Sequence, residues 1–456
     1  MQVRWVWLLS ALLLAGCVTP AHLQRVSEVQ PARQTVLASG DGLLSPERSK
    51  AILDDIAKES GARDMLLRHV AVEEAINDAP LVIGNSVALL RDGPGTYAAM
   101  YRAIRQAKDH VNLEVYVLEA DEIGRQLADL LLQRQQEGIQ INVIYDSIGS
   151  INTSPDFFAR LRAAGARVLE FNPINPAKGR SSYVIVHRDH RKILIVDGAT
   201  AFTGGINFSS VYSGGSFGRP RRVTGKDAVP WRDTQVEIRG PVVADFQRLF
   251  FDTWKKQNAE PVPPRNYFPH LDAVGKHIVR AVGSTPDDKV STIQTTLLSA
   301  IIYAEHTIHI TNAYFVPDPA ITRALKRAAK RGVDVKLILP GVSDFWAVMA
   351  AARSHYGELI EAGVKIYERK EALLHAKTVV IDSVWSTVGS TNLDRRSLLN
   401  DEADAIVLSD DFADQMEAMF RDDLAQSRLV ELSEWQRRGA GERMKEFGAR
   451  LVERWL

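Results

Sequence analysis

The chain repeats itself. Val111 to Leu118 reads as a strand, Gly124 to Gln136 as a helix and Gly138 to Tyr145 as a second strand, because short apolar runs flank a stretch of helical periodicity. The same series returns as Thr307 to Val316, Ala320 to Lys330 and Gly332 to Leu339. Ala164-Gly165-Ala166-Arg167-Val168 is answered by Ala362-Gly363-Val364-Lys365-Ile366, and Tyr116 by Tyr314, both 198 residues later. Agreement at one offset across several elements marks a duplicated unit. Alternating strands and helices make each unit α/β.

A length of 456 residues suits two such domains, each able to bury its own core. The 56 basic and 56 acidic side chains cancel, which argues against a broad basic surface for nucleic acid. The N-terminus differs from the rest. Arg4 precedes an apolar run from Trp5 to Ala15, too short to span a bilayer comfortably, and small residues end it, as in a secretory signal. Leu14-Ala15-Gly16-Cys17 resembles a bacterial lipobox, in which the signal is cut before the cysteine and that cysteine receives lipid. Cys17 is the only cysteine, so disulfide and metal sites lack the partners they need. This predicts a lipoprotein anchored to a membrane and facing the periplasm. Val18, where inner-membrane lipoproteins often carry aspartate, favours the outer membrane.

The chemistry-bearing residues fall in the repeat. His190, Lys192 and Asp197 form H-x-K-x4-D, followed by Gly204-Gly205-Ile206-Asn207. His375, Lys377 and Asp382 form the second copy, followed by Gly389-Ser390-Thr391-Asn392 in strict register. Twice-repeated H-x-K-x4-D-x6-G-G/S-x-N is the signature of the phospholipase D superfamily, which the chain resembles over nearly all of residues 80 to 430. Tyr314-Phe315-Val316-Pro317-Asp318, Ala351-Ala352-Arg353-Ser354-His355-Tyr356 and Leu393-Asp394-Arg395-Arg396-Ser397-Leu398 are similar to bacterial cardiolipin synthases in particular. Those enzymes commonly begin with two membrane-spanning helices, where this chain has the lipobox-like signal. The resemblance implies two α/β/α sandwich domains with mixed sheets, related by a pseudo-twofold axis that builds one site from both motifs. The domains are expected at 81–262 and 263–430. A signal at 1–16, a helical linker at 17–80 and an amphipathic helix at 431–456 complete the chain.

Histidine and lysine two apart on a strand share a face and address one phosphate together. One imidazole attacks phosphorus; the other protonates the leaving alcohol and deprotonates the incoming one. The resemblance implies His190 as nucleophile and His375 as acid and base, and the reverse order fits the same residues. Lys192, Lys377, Asn207 and Asn392 would surround the phosphate oxygens, with no metal or cofactor. Asp197 and Asp382 lie seven residues from their histidines, on the opposite strand face, and read as structural. Each histidine still needs a carboxylate to fix its tautomer, and Asp233 and Glu402 stand at matching places downstream.

The implied reaction is phosphatidyl transfer from a second phospholipid to phosphatidylglycerol at a membrane surface, giving cardiolipin. Hydrolysis to phosphatidic acid shares its covalent intermediate. Nucleic acid is not an expected partner, and a nuclease would need a wide basic groove. A non-enzymatic scaffold would have damaged motifs. Pro173, Pro176 and Gly179 mark one inserted loop. Tyr212 to Val229, with Arg219, Arg221, Arg222 and Lys226, reads as a mobile basic loop, either simply solvated or touching anionic headgroups. Met444, Phe447, Leu451 and Trp455 share one helical face, suited to packing on the domain or to lying on a bilayer.

Overall fold

The computed structural model describes residues 22–32, 34–174, 186–214, 230–343 and 345–453. The signal with Cys17, residues 175–185 and 215–229 of the two insertions, and Trp455 lie outside the described residues.

Among the described residues, fourteen strands carry the two halves. In the first they are β1 (Val82–Leu90), β2 (His110–Val115), β3 (Gln140–Asp146), β4 (Arg167–Phe171), β5 (Lys192–Val196), β6 (Thr200–Gly204) and β7 (Gln235–Arg239). In the second they are β8 (His277–Ser284), β9 (Thr307–Asn312), β10 (Asp334–Pro340), β11 (Lys365–Arg369), β12 (Lys377–Ile381), β13 (Trp385–Gly389) and β14 (Asn400–Leu408). β2, β3 and β4 run parallel, then β5, β6, β7 and β1 follow antiparallel. The second half mirrors this with β9, β10 and β11 parallel and β12, β13, β14 and β8 antiparallel. β1 and β8 pair antiparallel at the centre and join both sheets. The arrangement is the mixed α/β architecture that the repeat predicted, with the join between the duplicated halves.

Every residue of β2 and β3 is buried, as strands covered on both faces require. Their helices start on caps: the Asp121 carboxylate accepts from Gly124 N at the head of Glu122–Gln136, and Asp318 accepts from Ala320 N at the head of Pro319–Lys330. Such a cap stabilises by about 1 kcal/mol. The repeated Ala-Gly pairs have a backbone cause. Gly165 and Gly363, each following a helix, have φ of 95° and 100°, a left-handed turn that costs glycine nothing.

Two strands end sooner than their apolar runs suggest. Beyond Val115 and Asn312 the chain peels off the sheet, and Leu118 and Phe315 form bridges to Phe208 and Leu393 instead. The peeled segments carry Tyr116 and Tyr314 over the sheet edge. The motif lysines stand at that same edge, Lys192 opposite Val115 and Lys377 opposite Asn312.

The segment before β1 belongs to the second half's core. Helix Pro46–Ser60, a π-type turn at Met65–His69 and helix Val70–Ile76 bury Leu53, Met65, Leu66 and Val70 among Ile293, Leu297 and Leu298. A polar network pins it there. Glu73 and Arg280 are both fully buried; Arg280 Nη1 donates to the Glu73 carbonyl at 2.9 Å and its Nε lies 3.4 Å from the carboxylate. Trp385 Nε1 and His69 Nε2 approach the other carboxylate oxygen at 3.3 and 3.0 Å. Burial works to raise Glu73, but Arg280 and His69 hold it below the usual carboxylate range.

At the other end, helix Ala440–Val452 packs on helix Trp346–Ser354 through Ala449, buried with Val348 and Ala351. The face singled out in the sequence points away: Met444, Phe447 and Leu451 are exposed. Small residues make the close contact, which leaves the large ones outside. Among the described residues no helix is long and apolar enough to cross a membrane.

Glu73→Ala leaves the Arg280 guanidinium buried beside a vacated carboxylate, and should lower unfolding stability by about 3 kcal/mol in urea denaturation. A loss below about 0.5 kcal/mol would show that Arg280 does not depend on it.

Candidate active site

Two short strand pairings cross between the halves and build the site. Arg188–Asp189 runs parallel to the start of β14, and Trp231–Arg232 runs parallel to Leu373–Leu374. The ladders continue into the motifs: His190 N donates to the Asp401 carbonyl at 2.9 Å, and His375 N to the Arg232 carbonyl at 2.7 Å. The next residue on each partner strand carries the carboxylate. Glu402 Oε2 lies 3.0 Å from His190 Nδ1, and Asp233 Oδ2 lies 2.6 Å from His375 Nδ1. Each histidine is therefore held by the carboxylate of the opposite half, a crossing that the spacing of the sequence does not reveal. With Nδ1 engaged, Nε2 is the nitrogen left for bond making in both rings.

The two carboxylates are supported differently, which explains the one variable position of the motif. A Cβ on Gly205 would meet the Asp233 carboxylate at 2.1 Å, so glycine is needed there. At the matching place Ser390 Oγ donates to Glu402 Oε2. Asp233 instead accepts from Thr234 N at 2.8 Å.

Burial and like charge set the ionisation. Burial pushes His190 well below its usual basicity, and the Lys192 and Lys377 cations lower it further. His375 is lowered by burial and Lys377, with Asp233 pulling the other way. Burial brings Lys192 down to about 7 against the pull of Glu402, and raises Glu402 to about 7 against Lys192. Asp233 stays below the normal carboxylate range because Lys377 and His375 outweigh its burial. Two lysines and two histidines crowded out of water destabilise one another's charge, and a bound anion relieves that.

Lys192 Nζ donates to the His190 carbonyl at 2.6 Å and sits 5.2 Å from the Tyr116 ring centre. Lys377 Nζ lies 3.1 Å from His375 Nε2 and contacts its carbonyl. Asn207 Oδ1 accepts from Val117 N and its Nδ2 donates to Tyr212 Oη at 3.1 Å. Asn392 Oδ1 is buried with no hydrogen-bond partner among the described residues. Asp197 and Asp382 are away from the histidines. Asp197 accepts from the N–H groups of Lys108, Asp109 and His110, and Asp382 from those of Glu305, His306 and Thr307, so each ties the start of a parallel strand to a motif turn.

Several residues here escaped the sequence reading. Tyr212, which opens the Gly- and Ser-rich basic stretch, is buried, with its hydroxyl 3.4 Å from His375 Nδ1; the bond to Asn207 and packing on Trp231 fix it. Trp231 lies 5.0 Å from the His375 ring, while Tyr116 and Tyr314 stand edge-on to His190 and His375 at 5.1 and 6.2 Å. The tyrosine pair was visible as a repeat but carried no sign of its place. His187 Nε2 contacts Asp401 at 2.8 Å, directly behind Glu402.

A family model described as "Cardiolipin synthase, PLD-like domain" matches residues 100–212 and 297–424. The cardiolipin synthase of Alkalihalophilus pseudofirmus is 31% identical over 89% of this chain and 79% of its own length. The major cardiolipin synthase of Bacillus subtilis is 33% identical over 82% and 76%. The crystal structure of phosphatidylserine synthase from Haemophilus influenzae shares the fold, with a TM-score of 0.61 and 14% identity over 84% of this chain and 99% of that one. The chain belongs to the cardiolipin synthase family of phospholipase D-like phosphatidyltransferases.

Proposed function

We propose that the enzyme makes cardiolipin by transferring a phosphatidyl group from a donor phospholipid to a hydroxyl of phosphatidylglycerol, through a phosphohistidine on His190. The observation that carries this reading is the pair of buried imidazoles, each oriented by the opposite half's carboxylate and flanked by a lysine. His190, held neutral by burial and by two cations, keeps its Nε2 lone pair for phosphorus. Burial and Lys377 lower His375, and the ionised Asp233 at 2.6 Å opposes them and supports the imidazolium when a proton is taken up, which suits an acid and base. His190 Nε2 bonds to phosphorus as the P–O bond to the headgroup breaks, and His375 gives its proton to the leaving oxygen. The phosphatidylglycerol hydroxyl then yields its proton to His375 and attacks phosphorus, breaking the P–N bond. Lys192 and Lys377 neutralise the phosphate oxygens, with the Asn207 and Asn392 amides beside them. Asp197 and Asp382 act on the fold.

We further assign residues 81–262 and 263–430 as the two domains. Met1 to Gly16 we assign as a signal, with Cys17 lipidated and the enzyme facing the periplasm, outer membrane before inner. The sole cysteine in its lipobox supports this.

With phosphatidylglycerol, alone and with a second phospholipid, the purified chain should yield cardiolipin by mass. Phosphatidic acid without cardiolipin would make it a hydrolase. His190→Ala should abolish turnover, and acid-sensitive phosphate should be trapped on the wild-type chain only; unchanged turnover would remove the covalent mechanism. Glu402→Gln and Asp233→Asn should each lower kcat about 10³–10⁴-fold, as loss of a tautomer-fixing carboxylate does.

The pH dependence follows from two groups. Glu402, at about 7, protonates and releases His190 as pH falls; Lys192, at about 7, loses its charge as pH rises. The profile of kcat/KM should be a narrow bell near neutrality. A profile flat down to pH 5 would exclude ionised Glu402 as the orienter of His190.

A further inference from the structure

We propose that the apolar ridge of helix Ala440–Val452, together with Trp346, is the surface on which the enzyme sits on a phospholipid bilayer beside its active site, an inference that rests on the lipid-transfer reading above. Met444, Phe447 and Leu451 are 74%, 65% and 67% exposed at spacing i, i+3, i+7, which puts them on one face. The opposite face is occupied: Ala449 is buried against helix Trp346–Ser354, and Glu446 is buried in an ion pair with Arg438. The helix thus already has its place in the fold, and the ridge plays no part in holding it there.

The ridge adjoins the chemistry. Trp346, 57% exposed, opens the helix that follows β10, and β10 ends at the sheet edge where Lys377 stands opposite Asn312. Tyr314, edge-on to His375, packs into the same small cluster as Val348, Ala351 and Ala449. One continuous run of contacts leads from the catalytic imidazole to the outward helix.

Charge selects the occupant. Arg443 and Lys445 flank Met444 and Arg450 precedes Leu451; Lys445 and Arg450 are paired at the surface with Glu442 and Glu358, Glu446 is buried with Arg438, and Arg443 carries the remaining positive charge beside the ridge. An apolar stripe with basic side chains beside it, and an exposed tryptophan on the helix it packs against, matches the boundary between anionic headgroups and acyl chains. Three side chains on one ridge, with Trp346 on the neighbouring helix, fall well short of the roughly 800 Å² per partner that a stable dimer buries. Shallow insertion needs only this much and keeps lipid phosphates at headgroup depth.

The test uses the full chain with Cys17→Ser, which removes its only thiol. Phe447→Cys then carries a single polarity-sensitive fluorophore, and Lys50→Cys, at an exposed position on helix Pro46–Ser60, is the control. On adding vesicles of phosphatidylglycerol and phosphatidylcholine, the probe at 447 should shift to the blue and escape an aqueous quencher, while the probe at 50 stays quenchable. The triple variant Met444→Ser, Phe447→Ser, Leu451→Ser should lose about tenfold in rate on vesicles yet keep its rate on soluble dihexanoyl phosphatidylglycerol. A probe at 447 that stays quenchable on vesicle-bound protein overturns the proposal. So does one shielded without vesicles as protein concentration rises, which would mean a second copy covers the ridge. An equal loss on both substrates makes the ridge structural. A chain inactive on either substrate would sink the transfer reading, and the probe alone would then decide the ridge.

Discussion

Everything at the catalytic centre hangs on two backbone hydrogen bonds that run between the halves, from His190 N to the Asp401 carbonyl and from His375 N to the Arg232 carbonyl. Each closes a two-residue parallel ladder, and a ladder of that length has little stability alone. What holds them is buried charge beside them. The Arg188 guanidinium spans Asp146 Oδ2, Ser147 Oγ and the carbonyls of Phe171 and Asn172, while Arg232 takes both oxygens of Asp423, which also accepts from Arg369. Arginines buried this deeply pay for their desolvation only through complete, well-aligned partners. Their yield is placement: the strand ends cannot slide by a residue without stranding a guanidinium in the core.

In the proposed mechanism such placement has a chemical purpose, because the histidines then need fixed tautomers at a spot where charge is costly. Had each carboxylate served the histidine of its own half, either half could close its pair before docking. With the pairs exchanged, neither pair closes until both halves are in place. The site also gains two unequal imidazoles from a repeated fold. A shorter acid held by a backbone amide stands on one side, and a longer one held by a serine on the other.

Much of this could be read from the residues. Offset repeats gave two α/β units, and strand parity placed Asp197 and Asp382 off the reacting face, where they tie strand starts to turns. The exchange could not be read, because Asp233 follows the first motif in the chain and only docking brings it to the second. Tyr212 was hidden by its neighbours' glycines and serines, although its ring packs on Trp231. The strand candidates overran at Tyr116 and Tyr314 because apolar continuity says nothing about where a strand leaves its sheet. The C-terminal helix was visible as amphipathic, but that it would turn its large side chains outward depended on Ala449 fitting where they do not.

The exchanged carboxylates also govern how this enzyme can be recombined with its relatives. A chimaera joined between the halves would appear to import a complete motif, yet would leave each histidine facing a foreign orienter and a foreign ladder strand. Inheritance of the site runs by opposite pairs: His190 travels functionally with Glu402 and Ser390, and His375 with Asp233, Gly205 and Arg232. Shuffling that respects those sets preserves the centre, and shuffling by domain takes it apart.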